Sequence, residues 1–353
     1  MTTQQGFAAY PPKVKHIEVS GYVEEANGIF HSRDIGRSFE LFGIVYLVFG
    51  DTFCNNSKGD FVGLANNTVA IIEDKGQPLK SKYLEIEESG FIKPFLPLTP
   101  EEQQFEKNKM GRVVLWAFGG VVEMEDGTGC LWYQKSIDHG MGNVEYIGTG
   151  IAKILDGHDG LPNAQRMDNL IFGPDEPRMG TFTAIADGDF VYLYGDRPDG
   201  KIVLARVYNG RHDGRLEEKE AHYYWDGGNW VQDWREAGVV IEGMQQGAIV
   251  RSKLFGEDKP FMFVGTSKWA DSQVFMGASA KLEGPWKLEA VCKVDGIKET
   301  TGMGKWMYCI YPQLWASNEE DAELMVTWSE QCPGGVVAGN LKLAGFAEDD
   351  LGS

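Results

Sequence analysis

The 353-residue chain has no C-x-x-C pair, no stretch approaching 18 consecutive apolar residues and no excess of basic charge. Each absence removes a class of protein. Its 5 cysteines, Cys54, Cys130, Cys292, Cys309 and Cys332, are odd in number and scattered, so buried free thiols are expected rather than a disulfide framework or structural zinc. Without a long apolar run no membrane-spanning helix is predicted. Lys and Arg number 33 against 52 Asp and Glu, a formal charge of −19, which repels phosphate backbones and anionic lipid. Neither nucleic acid nor membrane is therefore an expected partner. A small-molecule or glycan ligand, neutral or cationic, is. The 6 histidines (His16, His31, His139, His158, His212, His222) show no metal-site spacing. No nucleophile elbow, P-loop or G-x-G-x-x-G is present, which argues against serine hydrolases, NTPases and nicotinamide enzymes; no metal and no cofactor is expected.

The N-terminal residues M-T-T-Q-Q-G-F-A-A-Y-P-P lack the continuous apolar segment of a signal peptide. A cytoplasmic protein is expected, or a secreted one if a signal was removed. In the second case the sequons at Asn55 and Asn66 become glycosylation candidates; they are read as chance matches.

What the chain has in abundance is glycine and aromatic residues. Its 45 glycines exceed the usual share of about 7% without any collagen-like period. They punctuate short alternating or apolar runs, the composition of an all-β sandwich, barrel or propeller. Turn pairs Asp126-Gly127, Asp187-Gly188 and Asp199-Gly200 separate such runs. Y-L-V-F-G-D, V-V-L-W-A-F-G-G, V-Y-L-Y-G-D, F-M-F-V-G-T and L-M-V-T-W-S recur at comparable places in five successive units. This weak repetition predicts a single five-bladed β-propeller over residues 1–353, with Val14 to Val23 closing the ring against the last blade. The alternative is six blades, one drawn from residues 76–150. Residues 1–12 are expected as a loose arm and 76–109 as an insertion. Within the insertion, Thr99-Pro100-Glu101-Glu102 has the capping residue, proline and first-turn acids of a helix start.

The most distinctive stretch is Ser32 to Cys54, S-R-D-I-G-R-S-F-E-L-F-G-I-V-Y-L-V-F-G-D-T-F-C. It resembles the N-terminal motif of a family of five-bladed propellers, long of unknown function, that includes bacterial endo-D-arabinanases. A-S-A-K-L-E-G-P-W-K (Ala278–Lys287) is similar to the fourth-blade signature of arabinanase-like and levansucrase-like propellers, and Y-Y-W-D-G-G-N-W to an outer strand in the same relatives. The resemblance implies Asp34, before the first blade, as general base and Glu176, at the matching place before the third, as general acid. Asp51 becomes a third carboxylate that separates their proton affinities.

Other residues expected to face a ligand are Arg33, His31, Arg178, Gln246, Tyr311 and Trp315. Each also has a structural reading: Asp34 as a turn residue paired with Arg33, Asp51 as a cap with Thr52, the aromatics as core. The leading function is a glycoside hydrolase-like acid/base enzyme. A cyclase or isomerase of a terpenoid or polyketide is the alternative, because acids beside aromatic faces also suit cationic transition states, and a non-catalytic binding propeller is the third.

Overall fold

The computed structural model describes residues 6–140, 142–210, 215–297, 305–330 and 334–345. Five separate sheets, antiparallel except where Glu24–Glu25 pairs parallel with Lys80–Tyr83, follow one another along the chain, each beginning with a strand near the centre. Blade one contains Ser32–Leu41, Ile44–Asn55, Thr68–Ile72 and Lys80–Tyr83, with Phe61–Ala65 paired to the end of the second strand and Glu24–Glu25 outermost. Blade two has Arg112–Trp116, Gly129–Asp138, Val144–Asp156 and Pro162–Phe172. Blade three runs through Thr183–Asp187, Phe190–Asp196, Ile202–Tyr208 and Tyr223–Trp225. Gln246–Arg251, Phe261–Thr266, Gln273–Ser279 and Glu289–Lys293 make blade four. Blade five has Met307–Pro312, Glu323–Glu330 and Val336–Leu343, and its outer strand is Val14–Tyr22 from the other end of the chain. The protein is a five-bladed β-propeller; the sixth blade weighed for residues 76–150 does not exist, because they supply strands to blades one and two.

Alternation within each strand puts apolar side chains on both faces of every blade, and successive blades share them. Five buried clusters lie between blades one and two, two and three, three and four, four and five, and five and one. A sixth, smaller cluster fills the centre with Ile35, Ala248, Trp306, Tyr308, Cys309 and Tyr311. Trp132 and Trp328, both 0% exposed, are among the largest side chains in these layers.

Val14–Tyr22 pairs with Val336–Leu343, from Val14 opposite Leu343 to Tyr22 opposite Val337, so the ring is closed by the two ends of the chain. Of the expected loose arm, residues 6–12, the described backbone is bonded: Ala8 N donates to Leu254 O at 2.8 Å and Ala9 N to Ala344 O at 2.8 Å. Within 76–109, Lys80–Tyr83 is a strand of blade one, and Pro100–Lys107 is a helix with the expected cap at Thr99, which forms a capping box with Glu102. Glu102 docks that helix on blade two through Arg166 at 2.6 Å and Lys135 at 2.5 Å.

The repeated segments differ in phase at one place. In blades one, three, four and five they lie in the second strand, whereas V-V-L-W-A-F-G-G begins in the first strand of blade two. The reason is physical: Arg112–Trp116 is as apolar as a second strand because both of its faces are covered. Cys54, Cys130 and Cys309 are buried free thiols and Cys292 is a half-buried one; Cys332 lies outside the described residues. Asn66 is buried, its amide donating to Val113 O at 2.9 Å, so that sequon is a structural asparagine.

Removing residues 1–22 deletes the closing strand and bares the edge of Val336–Leu343. The truncated chain should unfold at a lower denaturant concentration than the full chain in equilibrium titrations. An unchanged midpoint would mean that this strand does not close the ring.

Candidate active site

Blade one brings Asp34 and Asp51 together by a β-bulge. Arg33 is paired with Thr52 and Ile35 with Phe49, so Asp34 alone stands opposite the two residues Gly50 and Asp51. Such bulges re-aim side chains beside sites. The backbone then turns left-handed at Ile35 (φ 74°) and Gly36 (φ 69°), costly for a β-branched residue. It is held there by blade five: Ile35 N donates to Ser329 Oγ at 2.8 Å, and Gly36 O accepts from Thr327 Oγ1 at 2.7 Å and Gln313 Nε2 at 3.0 Å. Gly50 is glycine for a steric reason. A Cβ at that position would stand 2.3 Å from Asp34 Oδ1.

Asp34 keeps part of its surface accessible, but one oxygen of its carboxyl is enclosed. Tyr308 OH donates to Oδ2 at 3.1 Å, while Oδ1 is sealed and has no hydrogen-bond partner among the described residues. Burial, and secondly the negative charge of Asp51, push its pKa from the ordinary 3.8 to about 7, against the opposing pull of Tyr308, the Asp51 amide and Arg112. Asp51 is in a different environment. Its Oδ2 meets Arg112 Nη2 at 3.1 Å, and its Oδ1 accepts from Arg112 Nη1 and Trp116 Nε1, both at 3.4 Å. Arg112 also bonds Asp138 Oδ2 at 3.0 Å, so one guanidinium ties two carboxylates of neighbouring blades. Two adjacent carboxyls are thus distinguished, one desolvated and the other ion-paired.

Aromatic rings surround the pair. Tyr308 packs under Trp269 with ring centroids 4.1 Å apart, and Trp306 lies 5.5 Å from Trp269. On the blade-two side Trp116 stacks on Phe118 at 5.5 Å. Deeper in the centre, Arg37 donates to Phe118 O at 2.9 Å and Thr183 Oγ1 at 2.8 Å and lies over the Tyr311 ring, tying blades one, two, three and five.

The other expected residues separate into two groups. Gln246 opens the inner strand of blade four, its side chain touches the Cys309 thiol, and its Oε1 lacks a partner among the described residues. Tyr311 is also central but 1% exposed, beneath the pair rather than beside it. By contrast Arg33 is a structural residue, its guanidinium donating to Val23 O, Tyr83 OH and Ser81 Oγ and lying 3.8 Å over the Phe49 ring. Asp34 is therefore not its partner. His31 is buried nearby, accepting from Asn55 N, and burial lowers its pKa to about 4. It is a neutral, buried histidine whose Nε2 has no partner among the described residues. Trp315 is not in the first strand of blade five but in the turn Leu314–Ala316, packed on the cluster between blades five and one. Alternation could not separate these residues from channel residues, because the bulges after Arg33 and Tyr308 break it.

Glu176 accepts from Gly173 N at 2.8 Å and pairs with Lys219. The charges that act on Asp34 come from Asp51 and Arg112, whereas Glu176 acts on Tyr146 and Tyr224, a second neighbourhood. Arg178 pairs with Asp196 at 3.4 Å and covers the Tyr146 ring in that second neighbourhood. Among the described residues no three His, Cys, Asp or Glu side chains gather to hold a metal ion. Sequence reasoning missed Arg112, Trp269, Trp306 and Tyr308. A cation opening an inner strand was the available signal for Arg112; the two tryptophans carried none, since each lies outside the regular strands.

No protein-family model and no curated protein matches the chain. Solved structures do resemble it. A provisionally named hydrolase from Bacteroides ovatus superposes with a TM-score of 0.58 at 16% identity, covering 91% of this chain and 87% of that one. A protein solved in an RGII complex gives 0.52 at 10% identity, over 93% and 92% of the two proteins. A structure named simply glycoside hydrolase gives 0.51 at 10% identity, again over 93% and 92%. Likeness at this identity establishes the fold.

Two outcomes follow from the environment of Asp34. Followed by carbon-13 NMR, its carboxyl should titrate near neutrality, lower in Asp51→Asn and higher in Arg112→Ala; an ordinary carboxylate titration would refute the buried assignment. Between about pH 4 and pH 7 the folded state retains a proton that the unfolded chain releases, so stability falls as pH rises through this window. Asp34→Asn should therefore be more stable than wild type at pH 7.5, with the difference vanishing toward pH 4 in thermal melts.

Proposed function

We propose that the protein is a glycoside hydrolase-like acid/base enzyme in which Asp34 donates a proton and Asp51 serves as the carboxylate. The observation that carries this reading is the adjacency of two carboxyls in opposed environments at the centre of the ring, one kept protonated toward neutrality and one ion-paired to Arg112. Cleaving a glycosidic bond requires that division: a protonated carboxyl for the leaving oxygen and an ionised one for water or the sugar carbon. The motif resemblance to arabinanase-like propellers, and structural neighbours that include one named glycoside hydrolase and one solved in an RGII complex, support the same chemistry. A furanose-type glycoside is the substrate class the resemblance favours. The expected roles shift, however. Asp34 suits the acid better than the base, and Glu176, with Lys219 on one oxygen and the Gly173 amide on the other, is assigned no part in the chemistry.

The aromatic wall of Trp269, Trp306 and Tyr308 favours one second reading, acid-initiated cyclisation or isomerisation of a small natural product, since ring faces stabilise cations. Screening aryl glycofuranosides against terpenoid and polyketide intermediates separates the two readings.

On a substrate that is turned over, Asp34→Asn and Asp51→Asn should each lower kcat/KM by about 10²–10⁴-fold with the fold intact, and Glu176→Gln should stay close to wild type. Full activity in both aspartate variants would remove the site. The wild-type kcat/KM should fall as pH rises through about 7, as Asp34 loses its proton.

A further inference from the structure

Trp269 is 50% exposed, although a ring of that size is ordinarily covered. It sits between the strands Phe261–Thr266 and Gln273–Ser279, in a loop with left-handed backbone at Ala270 (φ 63°) and Ser272 (φ 56°). The surroundings hold that strain in place. Ser267 bonds the Asp271 carboxylate, Gln273 N donates to Asp271 Oδ1 at 3.0 Å, Val294 N to Ser272 O at 3.0 Å and Met307 N to Ser272 Oγ at 3.1 Å. Strained backbone that is over-determined by its neighbours marks positions kept for use. What the loop positions is one ring: Trp269 rests on Tyr308, whose hydroxyl is bonded to Asp34.

The remaining polar groups bear on the kind of ligand. Trp306 Nε1 and Gln246 Oε1, a donor and an acceptor, are buried at the same centre without partners among the described residues, a deficit that native interiors rarely keep without a reason. A hydroxyl group can serve either. Charge points the same way: the guanidinium here, Arg112, is already shared by two carboxylates, Asp51 and Asp138. Lys268 beside the ring is exposed and its field is screened by solvent. A carboxylate-bearing ring is therefore disfavoured.

We propose that Trp269 is the stacking platform for a neutral sugar ring bound beside Asp34, and that Tyr308 couples the platform to the acid. The inference rests on the glycosidase-like reading above and adds the residue that recognises the ring and the class of ring it takes. Affinity electrophoresis of the full chain in gels containing arabinan, xylan, galactan or polygalacturonate tests it. The wild type should be retarded by at least one neutral glycan and less by polygalacturonate. Trp269→Ala should weaken the neutral interaction about tenfold, the scale of one well-packed aromatic contact, while Trp269→Phe keeps most of it. Tyr223→Ala, which removes an exposed ring on an outer strand of blade three, should bind as wild type. Equal retardation of Trp269→Ala and wild type, or preference for polygalacturonate, overturns the platform while leaving the glycosidase-like reading intact. A wild type that neither binds nor cleaves any of the four overturns both.

Discussion

The seam between blades five and one carries both the closure of the ring and the candidate acid. Val14–Tyr22 completes blade five, and the chain then crosses directly into blade one. Across that seam Arg33 N and Ser32 Oγ donate to Gly334 O, Ile35 N to Ser329 Oγ, and Tyr308 OH to Asp34. Open the ring and these bonds lose their partners together, because every acceptor or donor on the far side belongs to the last blade. A propeller is often described as a stack of independent sheets. Here the site depends on the one junction that sequence-adjacent folding cannot form until both ends of the chain are present.

At that seam the protein tolerates a carboxyl, one oxygen of it enclosed, next to another carboxylate. Both effects oppose ionisation, and neither is offset by a cation bonded to Asp34 itself; Arg112 goes to Asp51 and Asp138 instead. Gly50 is part of the same arrangement, since a Cβ there would force the Asp34 carboxyl to shift. A group kept at the expense of stability, in a bulge flanked by left-handed backbone, is a familiar property of reacting groups and a rare one of structural residues. Glu176, by contrast, has a bonded partner on each oxygen, whereas Asp34 Oδ1 has none among the described residues.

Two further residues divide along the same line. Arg33 and Arg37 are four positions apart on one inner strand, and both are buried guanidiniums with carbonyl and hydroxyl partners. Arg33 holds the outer half of blade one to its neighbour, whereas Arg37 crosses the centre to blades two and three. Their sequence contexts do not distinguish these roles. The difference comes from the bulge between them, which turns the strand so that Arg33 faces the layer between blades and Arg37 faces the axis.

The all-β class, the five-unit plan, the closing strand, the capped helix at Thr99 and the hairpins at Asp126, Asp187 and Asp199 were legible in the sequence, because each follows from local chemistry: alternation, glycine turns, a helix cap. So was the prominence of Asp34 and Asp51, which bracket one strand-turn-strand unit. What the ring alone decided was which side chains meet. Tyr308 and Asp34 are 274 positions apart, and Trp269 and Arg112 come from two further blades. Bulges interrupt the period-two alternation where these residues lie, so facing could not be counted from sequence. The desolvation that sets Asp34 apart from Asp51 is likewise a property of the packed centre, created only when blades one, four and five converge on it.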